Sequence, residues 1–148
     1  MKEIYLDNAS STKVDEKVLK AMLPYFSEKY ANASSKHELG QQIREDIESS
    51  RKIIAKSINA KPNEIIFTSG GTESNNFALK GLFFYNKQNN TRKNHLITTK
   101  IEHASILETC KYLEKQGAKI TYLNVDKEGF INLKQLEKSI TKKTFLVS

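Results

Sequence analysis

Apolar residues recur along the chain in two rhythms that alternate. Val18, Leu19, Met22 and Phe26 fall at helical spacing, predicting a helix that begins near Asp15 and has Pro24 close to its end. Ser35-Lys36-His37-Glu38 has capping-box spacing and introduces a longer helix. In it Leu39, Ile43, Ile47, Ile54 and Ile58 share one face, broken by Ser50, and that face predicts packing. Lys61-Pro62-Asn63 ends it. Phe77, Ala78, Leu79, Leu82 and Phe83 supply the buried side of a further helix, as do Ile106, Leu107, Cys110 and Leu113, and then Leu133, Leu136 and Ile140.

Between these stretches lie short apolar or alternating runs that read as strands: Ile4 to Leu6, Ile65 to Thr68, His95 to Thr99, Lys119 to Val125, and Lys143 to Ser148. Gln116-Gly117 stops the helix before the fourth run, and Asp126-Lys127-Glu128-Gly129 is the turn that follows it. Strand and helix signals in alternation predict βαβ units, hence an α/β fold with a mostly parallel sheet flanked by helices. The last run reaches Ser148 without a covering helix, so the chain is expected to be part of a larger protein.

Composition narrows the class. The chain has 148 residues, 38% of them hydrophobic and 28% charged, which suits a globular segment and not a disordered tail. No apolar run is long enough to span a membrane, and Met1-Lys2-Glu3-Ile4-Tyr5-Leu6-Asp7 lacks the apolar body of a signal peptide. The expected setting is cytoplasmic, with no membrane partner. The formal charge of +7 favours anionic ligands, yet basic and acidic residues interleave and no aromatic-plus-basic platform is evident, so no nucleic-acid partner is expected.

The most informative chemistry lies in Thr68 to Asn76, TSGGTESNN, where the pattern hands a strand over to a helix. The first turn of a helix presents N–H groups without helical partners, which favours an anion such as phosphate. Gly70 and Gly71 permit a tight bend or a close approach to a ligand, and Thr72 can cap the helix or bond an anion. Neither the dinucleotide spacing G-x-G-x-x-G nor the Walker G-K-[ST] is present. Plain architecture therefore competes with phosphate binding. The polar neighbours Ser69, Glu73, Ser74 and Asn75 favour a ligand.

His103 follows the His95–Thr99 run and would stand on the same side of the sheet as the glycine turn. Its imidazole could stack on a planar cofactor and transfer a proton, or it could simply cap a helix. His37 reads as a cap or an exposed group, His95 as structural or exposed. The three histidines lack metal-motif spacing, and no metal is assigned. Cys110 lies in an apolar stripe and reads as a small buried hydrophobe, not a nucleophile. Asp7 and Asn8 read as turn formers.

Taken together, Tyr5-Leu6-Asp7-Asn8-Ala9-Ser10-Ser11-Thr12, Asn32-Ala33-Ser34-Ser35-Lys36-His37, TSGGTESNN and Glu102-His103 resemble the amino-terminal part of cysteine desulfurases of the NifS/IscS type. These are class-V aminotransferase relatives with the aspartate-aminotransferase-like fold (PLP fold type I). The resemblance implies an incomplete large domain of that fold: residues 1–15 an amino-terminal segment associated with the small domain, residues 16–148 the amino-terminal part of the cofactor-binding large domain. It implies pyridoxal 5'-phosphate as cofactor, with Gly71 and Thr72 at its phosphate and His103 stacked on its ring and assisting proton transfer. It implies L-cysteine as substrate, L-alanine as product, and sulfur passed on as a persulfide for iron–sulfur cluster or thio-cofactor assembly. A homodimer and an iron–sulfur scaffold or sulfur-acceptor protein are the implied partners.

Two positions depart from that pattern. Ala33 stands where the family often has proline, and Ser10-Ser11 replaces a commoner alanine pairing. The family's Schiff-base lysine, ring-pairing aspartate and catalytic cysteine have no counterpart among these residues, so the chain is expected to be inactive alone. The competing readings are a non-enzymatic scaffold or split subunit, and a different pyridoxal-phosphate lyase or aminotransferase, selenocysteine lyase among them.

Overall fold

A computed structural model describes residues 4–148, which divide into two compact units with the boundary between Ile66 and Phe67. In the first, helix α1 (Glu16–Met22) starts where Asp15 accepts the Lys17 N–H at 2.8 Å. Pro24 sits at the first position of a separate short helix, α2 (Pro24–Ser27), because a ring nitrogen without a hydrogen is tolerated there and not in a helix interior. Helix α3 (Glu38–Ser57) follows, then a 3-10 turn at Pro62–Glu64.

The expected capping box at Ser35 is replaced by a different cap. His37 is the N-cap residue, its Nδ1 accepting the Gly40 N–H at 3.3 Å. The isoleucine face of α3 is also less covered than its spacing predicts: Leu39, Ile47, Ile54 and Ile58 are exposed, and only Gly40 and Ala55 are buried in this helix. What holds the Asn32–His37 segment is α3's polar side. Arg44 donates to the carbonyls of Ala33 (2.9 Å) and Ser35 (3.3 Å), and Gln41 to that of Lys36 (2.8 Å).

The second unit is the α/β part. Its order is α4 (Gly71–Gln88), β1 (His95–Thr99), α5 (Ala104–Lys115), β2 (Lys119–Leu123), α6 (Leu133–Ser139) and β3 (Thr144–Val147). The three strands form one parallel sheet in the order β2-β1-β3, with His95 paired to Lys119 and to Thr144. Central β1 is buried along His95–Thr98, as a strand covered on both faces must be. Leu79 and Phe83 of α4 pack with Ile106, Cys110 and Leu113 of α5 and Leu96 of β1. Each large side chain buried in this way contributes about 1.5–3 kcal/mol.

This is the α/β architecture the sequence pattern predicts, with corrections. Ile4–Leu6 and Ile65–Thr68 form no strand: extended backbone becomes a strand only when a neighbour completes the ladder, and among the described residues none pairs with them. On α4 the buried face is Leu79, Phe83 and Asn86, leaving Phe77 and Leu82 exposed.

Candidate functional site

The glycine turn opens α4, with Gly70 at the N-cap position and Gly71 as the first helical residue. Among the described residues no side chain caps this end, so Thr72 is not the cap; it is an exposed residue of the first turn. Neighbouring polar groups brace the turn. The Glu73 carboxylate accepts the Ser69 N–H (2.6 Å) and hydroxyl (2.7 Å), and these bonds hold it below the usual carboxylate range. The hydroxyls of Thr68 and Ser74 meet at 2.6 Å.

Gly70 has a φ of 165°, extended backbone open to any residue, so a tight bend is not what calls for glycine here. A Cβ at Gly70 or Gly71 would meet nothing within 4 Å. The space that side chains would fill at the helix start is therefore open to a ligand. Open space, first-turn helix N–H groups and a threonine hydroxyl form a donor set that fits a phosphate ester.

His103 lies in the connection after β1 and is the N-cap of α5. Its Nδ1 accepts the Ser105 N–H at 3.1 Å and lies 2.8 Å from the Ser105 hydroxyl, which in turn accepts the Asn75 amide at 2.8 Å. Because a backbone N–H can only donate, Nδ1 is the acceptor and the neutral ring carries its proton on Nε2. Asn75 belongs to the glycine-turn segment, so this chain of bonds ties the start of α4 to the start of α5. Asn76 adds a second tie, accepting from Thr109 at 3.0 Å while donating to the Thr72 carbonyl at 2.9 Å.

Thr72 and His103 line one open cavity of about 490 Å³ together with Asn76, Lys80, Ser105 and Tyr112, of a volume that suits a small cofactor. The sequence marks Asn75 as a polar neighbour of the turn, but its spacing alone does not bring out Ser105 or Lys80. The one available signal is the run of small polar residues after the glycines.

The remaining candidates are structural. His37 caps α3; His95 is buried, its ring nitrogens 2.8 Å from the Thr144 hydroxyl and 2.9 Å from that of Thr121. Cys110 is fully buried, and burial, with Glu114 and Glu102 adding to it, pushes its thiol up to about 11. It is a core residue and no nucleophile. Asp7 forms the early turn, accepting the Ser10 hydroxyl at 2.6 Å. No group of three or more metal-ligating side chains clusters among the described residues, and no helix among them is long and apolar enough to cross a membrane.

The sequence model of the aminotransferase class-V family matches residues 4–148. The chain belongs to that family. Among its class-V relatives, cysteine desulfurase IscS of Dictyoglomus turgidum is 50% identical over 99% of this chain and 36% of its own length. Among solved structures, a NifS-like protein superimposes with a TM-score of 0.85 at 41% identity, over 95% of this chain and 38% of its own. SspA in complex with cysteine gives 0.84 at 42%, over 94% of this chain and 39% of its own. The chain thus spans little more than a third of the length of these relatives, and its fold is a part of the pyridoxal-phosphate fold type I large domain.

Proposed function

We propose that these residues form the phosphate- and ring-holding part of a pyridoxal-phosphate-dependent cysteine desulfurase, which takes sulfur from L-cysteine and leaves L-alanine. The observation that carries this reading is the uncapped, open start of α4 tied through Asn75 and Ser105 to His103. In this reading the N–H groups of Gly71 and Thr72 and the Thr72 hydroxyl bind the phosphate, aided by the positive end of α4. His103 lies against the ring, and with Nδ1 engaged by Ser105 it exchanges protons at Nε2. When bound, pyridoxal phosphate supplies the electron sink for breaking bonds at the substrate's carbons. The Glu73 carboxylate, occupied by Ser69, braces the turn and leaves the donor face to the phosphate.

The resemblance to cysteine desulfurases extends this reading to the whole protein. Residues 16–148 are the amino-terminal part of the large domain and residues 1–15 go with the small one. The full protein is a cytoplasmic homodimer that hands its sulfur, as a persulfide, to a scaffold or acceptor protein.

Pyridoxine 5'-phosphate tests the reading without interference, since it lacks the aldehyde that reacts with lysines. Calorimetric titration should show it binding at least about tenfold more tightly than pyridoxine. Thr72→Val should erase most of that difference, and His103→Ala should weaken both ligands. Equal binding of the two compounds would overturn the assignment of a phosphate site.

A further inference from the structure

The positive charge of the α/β unit gathers at one edge. In a parallel sheet every strand begins on the same side, so the residues that lead into the strands are brought together there. Here those residues are basic: Arg92 and Lys93 lead into β1, Lys119 opens β2, and Lys142 and Lys143 lead into β3. Lys87, in the last turn of α4, reaches the same edge, where its Nζ donates to the Gln116 carbonyl at 3.2 Å.

Two open cavities, of about 570 and 650 Å³, lie along this edge and share Lys143; among the described residues neither has an acidic side chain in its lining. At the opposite edge, where His103 stands, the connections leaving the strands carry Glu102, Asp126 and Glu128 beside Lys100 and Lys127.

The basic edge is held in shape. Arg92 has a φ of 60°, a left-handed conformation that is unfavourable for a residue with a side chain. The loop keeps it because Thr91 is fastened to the buried Asn86, its hydroxyl 2.5 Å from the Asn86 Oδ1 and its N–H 3.1 Å from the Asn86 carbonyl. The Lys93 N–H then donates to the Thr91 hydroxyl at 3.3 Å.

Three features select the ligand. The cations are strung along three strand entries, a span of roughly 10 Å across the sheet, instead of converging on one point, so a single phosphate cannot meet them together. The aromatic rings lining these cavities among the described residues, Phe83 and His95, are 2% and 8% exposed, which leaves no platform on which bases could stack. An extended polypeptide, by contrast, advances about 3.3 Å per residue, so a segment of three or four residues is long enough to follow such a row.

We propose that this edge of the sheet docks an acidic, extended segment of a partner protein, whose carboxylates pair with Arg92, Lys93, Lys119, Lys142 and Lys143. The docking site lies at the other end of the strands from His103, and it stands independently of the cofactor reading.

A labelled oligoglutamate peptide titrated with the 148-residue chain at low salt tests this. Arg92→Glu, Lys93→Glu and Lys143→Glu combined should weaken binding at least about tenfold. The same charge change at Lys20, Lys52 and Lys56 should weaken it far less. Equal weakening by the two triple variants would reduce the effect to net charge and overturn the proposal. So would tighter binding of a single-stranded oligonucleotide of equal charge, which would assign the edge to nucleic acid. On the unsubstituted chain, amide shifts induced by the peptide should centre on residues 91–94, 116–119 and 141–143. Shifts centred elsewhere would also overturn it.

Discussion

The Nδ1 of His103 accepts the backbone N–H of Ser105 at 3.1 Å, and the Ser105 hydroxyl approaches the same nitrogen at 2.8 Å. The hydroxyl accepts from the Asn75 amide, which leaves its own hydrogen free for the imidazole. Two donors therefore point at Nδ1, and the Nε2–H tautomer should dominate the neutral ring. Nitrogen-15 shifts of the His103 side chain check this. Ser105→Ala removes one donor and should raise the Nδ1–H population, a loss of roughly 1 kcal/mol in preference. Ser105→Thr should restore it. An unsubstituted ring protonated at Nδ1 would sink the assignment.

Gly40 is the tightest glycine of the chain. A Cβ there would lie 2.7 Å from the Asn32 carbonyl oxygen, the Ser35 carbonyl oxygen and the Ser35 Cβ. Alanine gains up to about 1 kcal/mol in helix propensity, but two of these contacts are backbone atoms already held by Arg44 and by the loop itself. Overpacking should prevail, and Gly40→Ala should destabilise α3 by about 1–3 kcal/mol, read as faster hydrogen exchange in that helix. Gly81, which has open space beside it in α4, is the control: Gly81→Ala should stabilise its helix. Opposite signs at the two glycines are the expected result.

These two sites mark the limits of the sequence pattern. Runs such as His95–Thr99 and Lys119–Leu123 are legible because covering on both faces, or alternation, is written into neighbouring residues. Ile65–Thr68 is at least as apolar and forms no strand, since pairing is a property of two segments and not of one. The glycine turn is legible as the start of a helix, and that position is what raises the anion reading. Its tie to His103 is not, because the Asn75–Ser105 bond joins residues thirty apart. The clamp on Gly40 is equally hidden, and so is the choice of His37 over Ser35 as the cap. Both depend on how the Asn32–His37 loop folds back on α3.

His95 gives the fold a pH dependence. Its burial, with the nearby Lys119 charge adding to it, holds its imidazole below the ordinary value of 6.5. Between the two values the unfolded chain binds more protons than the folded one, so stability rises with pH there. This contribution is fully present above about pH 6.5 and declines as the pH falls below it. Urea denaturation on either side of that value should show the decline, and His95→Asn should flatten it. An equal decline in the variant would place the cause in other groups.

Gly71 separates binding from folding. It opens α4, its Cβ would meet nothing within 4 Å, and it has no left-handed backbone for a side chain to strain. Gly71→Ala should therefore leave the fold intact and stabilise it by up to about 0.4–1 kcal/mol, through reduced freedom of the unfolded chain. The added methyl group projects into the space assigned to the phosphate, so affinity for pyridoxine 5'-phosphate should fall while affinity for pyridoxine changes little. Thermal unfolding and calorimetry on the same preparation check both halves. A stable variant that keeps full phosphate-dependent binding would move the phosphate away from this turn, and a variant that loses both stability and binding would make the glycine structural.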